Sequence, residues 1–217
     1  MGSVDKIPWP KIGDKPFKSA CSDATSSTWC SLDWMSSLGV GDSAYAEAFK
    51  EAGDKIVSEL EKEKNAKHPD MYFFPIAYLY RHCWELQMKS IIELGAALEL
   101  IHKDDYLTND LKTHNLHCLW NEAKQVFVGY WPEGGREELA AAERIVLDFH
   151  KIDQTGQGLR YSRDMSGAKT AKHMPSAVQL LNLRDISEKL YNFFDACETG
   201  LYEGLKIRED MLHDCVP

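Results

Sequence analysis

Apolar residues recur at intervals of three and four over most of the chain, a period that a helix converts into one buried face. Tyr45, Phe49, Ile56, Val57 and Leu60 keep that spacing between Asp42-Ser43 and Lys64-Asn65 and predict a first long helix. Asp70 and the early Pro75 suit a second start, after which Ile76, Leu79, Tyr80, Cys83, Leu86, Ile91, Leu94, Leu98 and Ile101 stay on one face. Its length and hydrophobicity predict the central helix. Leu116, Leu119, Trp120, Ala123 and Phe127 predict a third helix that stops before Pro132-Glu133-Gly134-Gly135, and a fourth is expected from about Arg136 to Ile152. Pro175 then opens a last helix, with Leu183, Ile186, Leu190, Phe193, Phe194 and Cys197 in register up to Gly200 or Gly204.

Two stretches break the period. Residues 1 to 40 hold Pro8, Pro10 and Pro16, Ser/Thr clusters and three tryptophans, Trp9, Trp29 and Trp34, and read as an extended arm. Between Asp153 and Pro175, Gly156, Gly158 and Gly167 punctuate a polar loop with room for a short hairpin around residues 159–163. The expected fold is therefore all-α, an antiparallel bundle of about five helices over residues 41–217 preceded by the arm.

Composition narrows the classes. The 217 residues are 44 % apolar and 27 % charged, an ordinary globular balance that excludes disorder and collagen-like or disulfide-scaffold chains. A net charge of −9 argues against general coating of nucleic acid or anionic membrane. The stretch from Met71 to Ile101 is long enough to span a bilayer but carries Arg81, His82, Glu85, Lys89, Glu93 and Glu99, so no membrane association is expected. No apolar run follows a basic start at the N-terminus, which leads to the expectation of a cytoplasmic protein whose six cysteines are reduced.

Within the central helix Arg81, Glu85, Lys89 and Glu93 stand four apart, so consecutive members face one another. One reading is a solvated ion-pair ladder. The other is a polar network buried in a helix too apolar to expose a face, with His82 beside it and with His114, Arg160 and Asp164 as partners from other segments. Further along, residues 151–173 hold five cations against two carboxylates, a local +3 that leaves −12 on the remainder. This basic loop, with Tyr161 between Arg160 and Arg163 as a stacking face, is the candidate phosphate or RNA contact, and a solvated loop tied to the acidic body is its rival.

Catalytic motifs are sparse. His114 and His117 lie three apart as metal ligands in bundles do, with Cys118 adjacent, but Glu-x-x-His occurs only once, at Glu99 and His102. No metal or other cofactor is expected, and H-E-x-x-H, G-x-S-x-G and Walker loops do not occur.

Three blocks follow one another in the chain: residues 75–89 (PIAYLYRHCWELQMK), 114–120 (HNLHCLW) and 158–164 (GLRYSRD). Together they resemble helical bacterial proteins of the HEPN superfamily type, over roughly residues 70 to 195. The resemblance implies a small helical bundle, often dimeric, of the kind found among metal-independent RNases and RNA-binding parts of toxin–antitoxin and phage-defence systems. The superfamily's nuclease signature is an arginine followed after about four to six residues by a histidine. That spacing occurs at Arg144 and His150 and again at Arg208 and His213. The resemblance implies His150 as general acid or base and Arg144 as the group that stabilises transition-state charge, since a helix ending at the basic loop brings its imidazole toward a bound phosphate.

The leading expectation is thus a homodimeric HEPN-like module that binds RNA or a nucleotide through residues 151–173, with metal-independent RNA cleavage as its enzymatic form. An interaction module is the alternative, its stripe and His114 a buried structural network and its acidic surface facing a protein partner such as an antitoxin or another defence component. A metal-dependent bundle enzyme is the third.

Overall fold

A computed structural model describes residues 10, 12, 41–63, 69–101, 113–163, 166–170 and 174–214, with residues 213 and 214 described by backbone alone. The arm expected over residues 1–40 lies outside the described residues apart from Pro10 and Ile12. Among the described residues five α-helices carry the fold: α1 (Asp42–Lys62), α2 (Phe73–Ala97), α3 (Leu116–Tyr130), α4 (Arg136–Ile152) and α5 (Leu180–Asp214), with a 3-10 turn at Pro69–Tyr72 before α2. Among the described residues there is no strand, and the fold is all-α. No described helix is long and apolar enough to cross a membrane.

α2 is the axis of the bundle because it is buried nearly all round. Tyr80, Cys83, Trp84, Met88, Ile91 and Ile92 are inaccessible to solvent, and α1, α3 and α5 pack around them. Trp120 of α3 and Phe194 of α5 complete the largest buried side chains, joined through Phe127, while Phe149 of α4 meets the Trp84 ring edge-on at 4.6 Å. Helices joined by short connections run antiparallel: Lys124 pairs with Glu143, and His117 faces His150, across α3 and α4. Arg81 reaches the His114 carbonyl while Leu100 approaches Gly129, and Gln87 reaches the Tyr191 carbonyl while Arg208 reaches that of Ala97, so α2, α3 and α5 share one direction. This topology gathers the first half of α2, the start of α3 and the end of α4 at one end of the helical bundle.

The last helix differs from the expectation at both ends. It begins at Leu180 rather than Pro175 and runs through Gly200 and Gly204 to Asp214. Those glycines do not stop the helix; they make room for α3's terminal aromatics. A Cβ at Gly200 would stand 2.9 Å from the Trp131 ring, and one at Gly204 would strike the Tyr130 hydroxyl. The expected hairpin reduces to a single antiparallel bridge between Arg163 and Lys169.

Candidate functional site: a buried ion network beneath a basic loop

The stripe on α2 is a buried network, not a solvated ladder. Arg81 and Glu85 are each 1 % exposed and Lys89 13 %. Arg81 Nη1 donates to Glu85 Oε2 at 2.9 Å, and Lys89 Nζ donates to Glu85 Oε1 at 2.9 Å. His114, which itself is half-exposed, sets Nδ1 2.8 Å from the same Oε1, and Arg81 Nη2 donates to the His114 backbone carbonyl. The second carboxylate comes from the end of α4: Asp153 Oδ2 lies 3.3 Å from Arg81 Nε, with both side chains 1 % exposed. Two cations and two carboxylates balance, which is the condition under which charges persist out of water. Burial alone would raise the Glu85 pKa, but Lys89, His114 and Arg81 outweigh it and hold the carboxyl below its ordinary value.

Asp153 ties this network to the basic loop. While Oδ2 faces Arg81, Oδ1 accepts from the Gly158 amide at 2.9 Å, so the first turn after α4 is folded over the guanidinium. Gly156 passes beside it, with φ at +74° and an imagined Cβ 3.0 Å from His114 Cβ and 3.3 Å from Arg81 Nη1. Only glycine suits both the left-handed backbone and the space. Arg160 Nε then donates back to the Gly156 carbonyl at 2.7 Å, and its guanidinium lies over the Tyr78 and Tyr161 rings at 5.5 and 5.6 Å.

Beyond Arg160 the loop opens a cleft of about 470 Å³ lined by Phe74, Arg160, Tyr161, Arg163 and Lys169 among others, and the described lining contains no carboxylate. The bridge pairs the backbones of Arg163 and Lys169, so two exposed cations occupy opposed positions on the loop. Arg163 donates to the Gly167 carbonyl at 2.7 Å, and neither cation is ion-paired among the described residues.

The other expected residues fall in different places. His82 is half-buried between the Phe49 ring at 4.5 Å and the Tyr78 ring, parallel at 5.6 Å, and takes no part in the hydrogen-bonded network. Glu93 is exposed and stands apart from it. Arg160 belongs to the loop rather than to the network, and Asp164 lies outside the described residues. His114 and His117 do not share a helix face, because Asn115 between them caps α3 and accepts from the His117 and Cys118 amides at 3.0 and 3.1 Å. Among the described residues, no three His, Cys, Asp or Glu side chains form a group able to hold a metal ion.

Arg144 and His150 are not brought together within one chain. Both sit on the straight run of α4, where six residues amount to about 120° of rotation and about 9 Å of rise. Arg144 is exposed, whereas His150 turns inward with its ring 5.6 Å from that of His117 and its Nδ1 buried without a hydrogen bond. Burial, then the His117 and Arg81 charges, push the His150 imidazole below its ordinary 6.5, with Asp153 opposing them. In the second spacing, Arg208 is committed to the Ala97 carbonyl and to Glu99, the latter at 2.6 Å, and the His213 side chain lies outside the described residues.

These shifts predict acid sensitivity in two stages. His82, lowered by burial, and His150 have folded values below 6.5, so the unfolded chain takes up protons first and stability falls as pH drops below 6.5. Glu85, lowered from 4.5, keeps its contribution above that value and loses it as pH falls through the folded one. Thermal melts from pH 8 to pH 3 are expected to show both steps, and His150→Asn to shrink only the upper one. A melting temperature that stays flat between pH 7 and pH 5 would contradict this account of the histidines.

No protein-family model matches the chain, and neither the curated proteins nor the solved structures contain a significant match.

Proposed function

We propose that the chain is a HEPN-like module that binds RNA or a nucleotide through the cleft lined by Phe74, residues 158–163, Lys169 and Thr170. The observation that carries the reading is the pair Arg163 and Lys169, two exposed cations at backbone-paired positions lining a cleft whose described lining contains no carboxylate. Like charges in that position cost stability, and a phosphate group offsets the cost. On a chain of net charge −9 the placement is selective, because the rest of the surface repels a polyanion. The buried network supports the cleft as a scaffold: it consumes its own charges internally and fixes the loop that carries the exposed ones.

RNA cleavage is a second reading, favoured by one feature. Burial and the His117 and Arg81 charges shift His150 toward its neutral form, the form in which an imidazole acts as a general base. Because α4 sets Arg144 away from His150, the cleaving form of the proposal takes Arg144 from the second protomer of a homodimer. In the rival reading, a non-catalytic interaction module, the network keeps its structural role and the acidic surface meets a protein.

A fluorescent single-stranded RNA titrated with protein at low salt tests the proposal. Saturable binding is expected, weakened at least about tenfold in the Arg160→Ala plus Arg163→Ala variant, with the helical circular dichroism unchanged. Absence of binding by the wild type at low salt would overturn it. The same RNA incubated in excess EDTA with wild type and His150→Ala tests cleavage, and loss confined to the variant would assign the imidazole.

A further inference from the structure

Resting on that reading, we infer that the cleft takes a single nucleotide with its base unpaired, the base against Tyr161 and Phe74 and the phosphate on Arg163 and Lys169. Its volume of about 470 Å³ is that of a small-molecule pocket rather than of a duplex groove. Two aromatic rings line it and remain open to solvent, Tyr161 at 56 % and Phe74 at 40 % exposure. Exposed rings beside paired cations are what a splayed base and its phosphate need, whereas a duplex keeps its bases stacked inside.

The aromatic side of the cleft is held in place before any ligand arrives. Arg160, anchored on the Gly156 carbonyl, lies over the Tyr161 ring at 5.6 Å, and the Thr170 hydroxyl donates to the Tyr161 carbonyl. On the cationic side the Arg163–Lys169 bridge pairs the two backbones, and Arg163 donates to the Gly167 carbonyl at 2.7 Å. A free nucleotide and the unpaired end or loop of a strand present the same base-and-phosphate chemistry, and the experiment separates them.

Competition against a labelled single-stranded RNA provides the test, with four competitors: the same strand unlabelled, its perfect duplex, adenosine monophosphate and inorganic phosphate. The single strand is expected to compete at least about tenfold better than the duplex, and the monophosphate to compete where inorganic phosphate at equal concentration does not. Tyr161→Ala is expected to weaken the strand about tenfold while leaving the duplex within about twofold, and Phe74→Ala to act in the same direction. Equal affinity for strand and duplex, or a Tyr161→Ala variant that binds the strand like wild type, would overturn the single-nucleotide inference and leave the RNA reading standing. No binding of any RNA, together with no binding of the monophosphate, would overturn both. Monophosphate affinity equal to that of the strand would assign a free nucleotide as the ligand, and a large excess of strand affinity would assign RNA.

Discussion

Glu85→Ala is expected to destabilise the protein by about 3–5 kcal/mol, because it strips a buried arginine of its principal partner. The arithmetic turns on burial. Were Arg81, Glu85 and Lys89 an exposed ladder, removing one carboxylate would cost about 0.5 kcal/mol. With both Arg81 and Glu85 1 % exposed, the variant instead leaves Arg81 and Lys89 facing each other across an emptied site, with Asp153 as the remaining carboxylate against two cations. For a protein of this size the loss corresponds to roughly ten degrees in melting temperature. Glu85→Gln keeps the volume and one acceptor and is expected to fall between. A thermal melt of Glu85→Ala within about two degrees of wild type would mean that the network contributes nothing beyond a surface pair.

Asp153→Ala is expected to cost about 3 kcal/mol and, unlike Glu85→Ala, to act mainly through the loop. One carboxylate oxygen faces Arg81 and the other receives the Gly158 amide, so the substitution removes a buried counter-charge and releases the turn at the same time. The other anchors of the loop from Gly156 to Arg163 are Leu159, buried in the core, Arg160 on the Gly156 carbonyl and the contacts of Thr170. RNA affinity is therefore expected to drop about tenfold, measured well below the variant's melting temperature, while the helical signal persists. Proteolysis is a useful second readout, since a loosened loop is cut before the bundle is. Unchanged affinity would separate the network from the cleft and leave Asp153 a purely structural residue.

Most of the bundle was legible in the sequence because helices announce themselves by a local period. α1, α3 and α4 begin and end within a few residues of the predicted limits. α5 was misjudged because its glycines carry information about another element: Gly200 and Gly204 accommodate Trp131 and Tyr130, a contact with no trace in the local pattern. For the site, the four-residue spacing of Arg81, Glu85 and Lys89 was visible, and so was the reason to bury it, a helix too apolar to present a polar face. His114 was found among the partners, whereas Asp153 was missed.

The miss has a physical cause. Asp153 follows directly on α4 and is separated from Arg81 by most of the fold, so its sequence signal was only that of a helix-end residue in a charged segment. The glycines at 156 and 158 were the available hint, since a carboxylate followed by two glycines is the composition of a turn that folds back on its own side chain. The Arg144–His150 pair shows the converse limit. A separation of six matches neither the three-or-four nor the seven spacing that puts residues on one face, and α4 duly sets the two apart.

The central claim is that Arg163 and Lys169, presented by a loop fixed to the buried network, contact phosphate. The salt dependence of RNA affinity tests it most directly, because each phosphate contact on a single strand contributes about 0.7 to the slope of log affinity against log salt. If both cations touch phosphate, the Arg163→Ala plus Lys169→Ala variant lowers the slope by about 1.4 relative to wild type, with the melting temperature retained. A variant whose slope and affinity match those of wild type would contradict the claim and place any RNA contact elsewhere on the molecule.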